Sequence, residues 1–356
     1  MSRILTIDIG AGTMDILYYD TGADVHYKAV VKSPVPCMAE RVEQTPGKLL
    51  VLGNEMGGGA VSQGIIKRAR DTEVVMSASA AATLHHSPDR VRSFGIKVVE
   101  DPVADKMRED GKYSLLEFCD LDLERLKQIV TGFGVSFSFD IIGVCAQDHG
   151  MAPDGTTHLD YRHNNFKTLL DKDPFPHALL YKNNTVPENM NRLRSIARDA
   201  ASFPADEIYI MDSGMAAILG AGMDPDVKRK KNALVLDIAT SHTVGAALQD
   251  GELCGFFEYH TRDITLERLE ALLQDLADGK LEHRQIIAEG GHGAYTRRAF
   301  GFDNVEIIVA TGPRRKMVEK SRLPIKLGAP LGDNMMTGTA GLLEAIRRRK
   351  GMDPIL

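Results

Sequence analysis

The chain is poor in the spacings that mark metal and redox cofactors. Its four cysteines, Cys37, Cys119, Cys145 and Cys254, lie far apart and none forms a Cys-x-x-Cys pair. That disfavours a zinc site or a self-contained iron–sulfur cluster, and reduced thiols are expected. A cluster shared across a homodimer interface is the arrangement these cysteines leave open. Excess positive charge is also missing: 43 Lys and Arg against 49 Asp and Glu give a formal net charge of −6. This balance offers no electrostatic case for nucleic acid or an anionic membrane. No apolar run approaches the roughly 20 residues that a membrane span needs. No cationic region and apolar stretch precede the first strand, so a cytoplasmic protein without a signal peptide is expected.

With 356 residues, 43% hydrophobic and 26% charged, the chain is long enough for two domains with separate cores. Its most informative feature is an internal repetition. An apolar strand ends in Asp8-Ile9 and runs into Gly10-Ala11-Gly12-Thr13. A second apolar strand ends in Asp237-Ile238 and runs into Ala239-Thr240-Ser241-His242. Each continues as strand, Asp/Gly turn, strand, which writes the same meander into both halves. Facing turns of small residues can offer backbone N–H groups to a phosphate from opposite sides, with Thr and Ser hydroxyls as further donors. Asp8 and Asp237 would then hold the waters of a Mg²⁺ that bridges the phosphates. A single copy would read as a tight hairpin stabilised by its own side chains; the second copy favours the phosphate reading. In the second turn, Cβ atoms stand where glycine would allow closer approach. His242 is open to two roles, a bond to a phosphate oxygen or a cap on the turn.

Between and after the meanders, strands alternate with helices, as in mixed-sheet α/β domains. Helices are expected at 61–70, 77–85, 122–131, 187–201, 265–279, 313–321 and 338–349, from apolar spacing and capping residues. Strands are expected at 49–52, 73–76, 139–146, 207–211 and 305–310. Residues 33–59 read as a Pro- and Gly-rich excursion, and 151–187 mostly as loop. The basic groups 228–231 and 347–350 read as a solvated turn and a helix C-terminus.

The two turns resemble the phosphate 1 and phosphate 2 motifs of the ASKHA superfamily, which includes actin, Hsp70 chaperones, sugar and acetate kinases and activase ATPases. Three further segments fit in order. Residues 208–220, around Asp212-Ser213-Gly214, resemble the first interdomain connecting helix. Ile307-Ile308-Val309-Ala310-Thr311-Gly312-Pro313 resembles the adenosine motif, and 337–346 the second connecting helix. The chain is also similar to an uncharacterised ASKHA-like family of anaerobic microbes, some of whose members carry a pyruvate formate-lyase-activating label. Radical activases of that kind need a Cys-x-x-x-Cys-x-x-Cys motif, which is absent.

The resemblance implies a two-lobed ASKHA fold, a duplicated ribonuclease H-like architecture with mixed β-sheets and an interlobe nucleotide cleft. Lobe I would hold 1–211, completed by the helix at 338–349, and lobe II 212–336. Mg²⁺ and ATP would sit on Asp8, Gly10, Ala11, Gly12, Thr13, Asp237, Thr240, Ser241 and His242, with Gly312 packed against adenine or ribose. Asp212 would accept a proton from a substrate hydroxyl or orient a water, a role it could combine with capping its helix. Gln147-Asp148-His149-Gly150 follows a buried-type strand and resembles the sugar-site stretch of xylulokinase-like kinases. With His260 it forms the candidate substrate site, although a self-satisfied polar turn explains it as well. The histidines at 149, 242, 260 and 292 show no His-x-x-x-His spacing, so scattered surface histidines are expected rather than a metal site. Three function classes follow: a small-molecule phosphotransferase, an ATPase that activates or remodels a partner enzyme, and a nucleotide-dependent assembly protein.

Overall fold

The computed structural model describes residues 2–354 except 154. The first meander is β1 (Arg3–Ile9), β2 (Thr13–Asp20) and β3 (Val25–Lys32), paired antiparallel. Ile4, Leu5, Ile7 and Ile9 are buried, as expected of a central strand covered on both faces. The chain next builds a four-stranded parallel sheet from β4 (Leu49–Gly53), β5 (Val74–Ser77), β6 (Lys97–Val99) and β7 (Ser114–Phe118), in the order β6-β5-β4-β7. It then returns with β8 (Phe139–Ala146), β9 (Leu180–Lys182) and β10 (Ala205–Asp212) to complete a six-stranded sheet, β3-β2-β1-β8-β10-β9.

The second meander is β11 (Asn232–Ile238), β12 (His242–Gln249) and β13 (Glu252–His260). Adding β14 (Gly293–Thr296), β15 (Ile307–Thr311) and β16 (Ile325–Leu327) gives the order β14-β13-β12-β11-β15-β16. In both sheets the meander's first strand is followed outward by two parallel strands, β8 and β10 in one, β15 and β16 in the other. Only the outermost antiparallel strands, β9 and β14, depart from the repeat. Two mixed sheets of this topology are the duplicated ribonuclease H-like architecture of the ASKHA fold.

Two helices join the halves. Ser213–Ala221 leaves the first sheet and packs on β11 and β12; Thr337–Lys350 leaves the second and packs on β1, β2 and β8. They meet backbone to backbone. A Cβ on Gly220 would stand 1.8 Å from the Thr337 carbonyl oxygen, and one on Gly341 would stand 1.8 Å from that of Ala216. No larger side chain fits at either position. The main core lies around these helices, with separate cores on the outer faces and within the parallel sheet.

Several local expectations change. Within 33–59 a helix forms at Pro34–Gln44, because Ser33 caps it through Val35 N and Pro34 suits its first position. Within 151–187 there is a 13-residue helix, His158–Leu170, capped by Thr157, whose hydroxyl accepts from Asp160 N. The helix expected at 77–85 shortens to Ala78–Ala81, and that at 313–321 to a 3-10 turn, Arg315–Val318. Among the described residues no helix is long and apolar enough to cross a membrane.

Candidate functional site

Both meander turns line one cavity of about 660 Å³. They are built by matching hydrogen bonds. Gly10 N donates to Thr13 O, and Ala239 N to His242 O, each at 3.0 Å. Ser33 ties back the first turn, its N donating to Gly12 O at 3.0 Å and its Oγ to Gly10 O at 2.6 Å. Thr261 does the same for the second, its N donating to Ser241 O at 2.8 Å and its Oγ1 to Ala239 O at 2.8 Å. Carbonyls that would repel a phosphate are thereby occupied. The amides of Ala11, Gly12, Thr240 and Ser241 have no acceptor among the described residues. The turns also approach each other: a Cβ on Gly12 would lie 3.5 Å from Thr240 Cγ2. The Cβ atoms of the second turn thus stand beside a glycine-bearing partner.

Asp8, Asp15 and Asp237 line the same cavity. Asp8 stands opposite Asp15 in the β1–β2 pairing, and its Oδ1 accepts from Ser213 Oγ at 2.8 Å. Thr311 Oγ1 lies 3.3 Å from Asp237 Oδ1, whereas Asp15 Oδ1 is buried without a hydrogen-bond partner among the described residues. Burial first, with repulsion from neighbouring carboxylates behind it, pushes Asp8 up to about 6, Asp237 to about 7 and Asp15 to about 8. Carboxyl groups this reluctant to ionise suit a cation: a Mg²⁺ and its waters would supply the charge and donors they lack. Two glycines make the room. A Cβ on Gly338 would sit 1.9 Å from Asp8 Oδ2, and one on Gly312 2.6 Å from Asp237 Oδ1. Gly312 itself backs this carboxylate and does not line the cavity, whereas Pro313 does.

Gln147, Asp148, His149 and Gly150 also reach the cavity, and Gln147 Nε2 donates across to Glu258 Oε1 of the other sheet. Asp148 is taken up locally, accepting from Gly150 N at 2.7 Å and Leu193 N at 3.0 Å. Asp212 does not line the cavity. It is 2% exposed, and its oxygens accept from Arg162 Nη1 at 2.6 Å, Arg162 Nη2 at 3.3 Å and Met215 N at 3.2 Å. The same guanidinium reaches Asp148 O at 2.7 Å and Glu258 Oε2 at 3.4 Å. This is the geometry of a structural ion-pair network joining both sheets, and it does not favour a proton-accepting Asp212. Arg162 and Glu258 escape the sequence reading: the first lies in a stretch read as loop, the second within an apolar strand. Thr157 and Asp160, followed by Phe166 and Leu170 at helical spacing, were the available signal for the Arg162 helix.

The histidines overturn their expectation. His242, His260 and His292 are not scattered. Their ring centroids lie 4.6 Å (242–260), 4.7 Å (242–292) and 4.3 Å (260–292) apart, and His149 is 6.0 Å from His292. Cross-strand pairing, invisible to His-x-x-x-His spacing, brings them together: His242 is the register partner of His260. Burial pushes His242 down to about 4 and His149 to about 3, so both rings are neutral at ordinary pH.

The fold is similar to several solved structures. Ethanolamine utilization protein EutJ from Carboxydothermus hydrogenoformans is 10% identical, covering 96% of this chain and 88% of that one, with a TM-score of 0.32. The activator of 2-hydroxyisocaproyl-CoA dehydratase from Clostridium difficile, bound to ADPNP, is 9% identical over 99% of both chains, with a TM-score of 0.31. ROK hexokinase from Thermus thermophilus is 12% identical over 98% of this chain and 99% of that one, also at 0.31. Likenesses this distant say nothing of what this chain binds. No curated protein matches it. Residues 56–317 match the family described as "Putative pyruvate format-lyase activating enzyme (DUF1786)", and the chain belongs to that family.

Proposed function

We propose that this protein binds Mg²⁺·ATP between the two turns and transfers the terminal phosphoryl group to a small polar molecule. The observation that carries the reading is the pair of matched turns, with their unbonded amides, around three carboxyl groups held high by burial. Asp8 and Asp237 would hold Mg²⁺ through its waters, with Asp15 beside them. The ion would neutralise phosphate charge and orient the terminal group. Backbone amides of Ala11, Gly12, Thr240 and Ser241, and the Thr13 hydroxyl, would bind phosphate oxygens. Beyond the turns the cavity continues past Gln147, His149, Glu55 and His86, a polar wall suited to an acceptor.

The lobes would divide as the sheets do, 1–211 with the C-terminal helix and 212–336 between, with Asp212 and Arg162 tying them. The described cysteines are all free, in keeping with a cytoplasmic location.

A second reading, an ATPase that remodels a partner enzyme, draws support from the Arg162–Asp212 pair, which removes the carboxylate expected to serve an acceptor hydroxyl. ADP release measured with and without a panel of sugars and organic acids separates the two. Acceptor-stimulated release with a phosphorylated product supports the transferase. Slow release that no acceptor changes supports the ATPase. Absence of Mg²⁺-dependent ATP binding would remove both.

A further inference from the structure

The imidazole cluster is chemically unlike the oxygen-rich centre at Asp8, Asp15 and Asp237. His242 begins β12 and His260 ends β13, directly opposite in register. His292 immediately precedes β14, and its N–H donates to Glu258 O at 2.8 Å, which fixes it alongside the same end of β13. Three backbone positions on neighbouring strands therefore converge, so the cluster does not depend on a mobile loop. One ring nitrogen from each of the three lies within 4.8 Å of the other two. Tetrahedral ligation at metal–nitrogen distances of about 2.0–2.1 Å places ligand nitrogens roughly 3.3 Å apart. Closing the difference takes at most about 1.5 Å, within reach of side-chain rotations.

The polar atoms here also want partners. His242 Nε2 and His292 Nδ1 are buried and make no hydrogen bond among the described residues. Buried orphan nitrogens cost stability unless something engages them, and close-packed imidazoles offer nitrogen donors that one cation would engage together. Glu258, two residues before His260 on the same face of β13, lies 3.8 Å from His292 Nδ1 through its Oε1. A carboxylate at that distance places negative charge beside the cluster, which favours a bound cation.

We propose that His242, His260 and His292 bind one divalent transition-metal ion of the zinc class at the edge of the cavity. Nitrogen ligands suit zinc and its first-row neighbours, whereas Mg²⁺ prefers oxygen, so the two centres select different ions. His242 and His260 line the cavity, which leaves a fourth coordination position for water or a ligand oxygen from that side. The site stands independently of ATP binding, and its test contains no nucleotide.

The full-length protein, stripped with chelator, is titrated with Zn²⁺ against a chromophoric competitor in millimolar Mg²⁺, and separately with Co²⁺. The expected result is one equivalent bound despite Mg²⁺, with tetrahedral-type Co²⁺ absorption that Zn²⁺ bleaches. H242N, H260N and H292N should each weaken binding by at least about 100-fold, since even outer-shell losses cost about 10–100-fold. H26A, on β3 of the other sheet, should bind as wild type. Circular dichroism verifies that the variants fold, and the Co²⁺ spectrum of the unmodified protein tests the ligand set without any variant. Binding below one equivalent, displacement by Mg²⁺, or full binding in the triple asparagine variant would overturn the site. So would stabilisation by inorganic phosphate with no uptake of Zn²⁺ or Co²⁺.

Discussion

The two meander turns share a backbone and differ in chemistry. Each is closed by the same amide-to-carbonyl bond and tied back by one hydroxyl residue, Ser33 or Thr261. In register, however, Asp15 of the first copy corresponds to Val244 of the second, each facing its strand-end Asp. Thr13 opposite Lys32 corresponds to His242 opposite His260. The first turn therefore collects carboxylates and the second collects imidazoles. Hydrogen bonding fixes the turn shape, while the few side chains that project beside it set which donor atoms each turn offers.

The largest expected effect comes from the glycines that make room for each aspartate. Gly338→Ala drives a methyl group into Asp8 and Gly312→Ala drives one into Asp237; both should abolish Mg²⁺-dependent ATP binding in calorimetry. Gly338→Ala has the closer approach and should also destabilise by about 1–3 kcal/mol in denaturant titration. Gly312 sits at φ +88, so its alanine variant carries backbone strain as well. Unchanged nucleotide affinity in either variant would break the equivalence of the two carboxylates.

Next in size is the buried Arg162–Asp212 pair. Asp212→Asn leaves Arg162 buried with less compensation and should lower stability by about 3–5 kcal/mol, the usual range for breaking a buried pair. Native stability combined with a turnover loss of about 10²–10⁴ would instead restore Asp212 as a general base.

Asp8→Asn and Asp237→Asn should each weaken Mg·ATP binding by about tenfold or more, and Asp15→Asn by less. The second copy carries Val244 where the first has Asp15, so that carboxylate lacks a counterpart across the cleft. An Asp15→Asn loss as large as that of Asp8→Asn would show that the first turn alone holds the ion.

The smallest effect is a pH dependence. Asp8, Asp237 and Asp15 are raised from 3.8 to about 6, 7 and 8, so without metal they contribute stability below about pH 4 that is lost as pH rises through 6–8. Mg²⁺ competes with these protons. Its thermal stabilisation should therefore grow from pH 5.5 to pH 8.5, and a shift that is flat or reversed across that interval would remove the carboxyl cluster as its cause.

What was legible in the sequence was local. Asp8-Ile9-Gly10 and Asp237-Ile238-Ala239 declare strand ends and tight turns within a few residues, and the helix at Leu266–Ala277 announces itself by apolar spacing. The Arg162–Asp212–Glu258 network joins residues 50 and 96 positions apart, which no local pattern encodes. The parallel sheet escaped because β6 is three residues long and β4 pairs with β7 across more than sixty positions. The pairing of His242 with His260 was only partly within reach: counting back along the hairpin from Gln249 and Glu252 puts Tyr259 opposite His242, and the register shift at Ala247–Leu248 moves His260 onto that rung. Nothing comparable announced His292, whose place depends on β14 joining the sheet edge.

The most direct test of the two turns acting as one cleft is calorimetric titration of the wild-type protein with ATP, with Mg²⁺ and again with excess EDTA. The expected result is one ATP per chain with Mg²⁺ and at least tenfold weaker binding without it, as bridging carboxylates require. ATP affinity indifferent to Mg²⁺, or no binding at millimolar ATP, would contradict the shared metal–phosphate cleft.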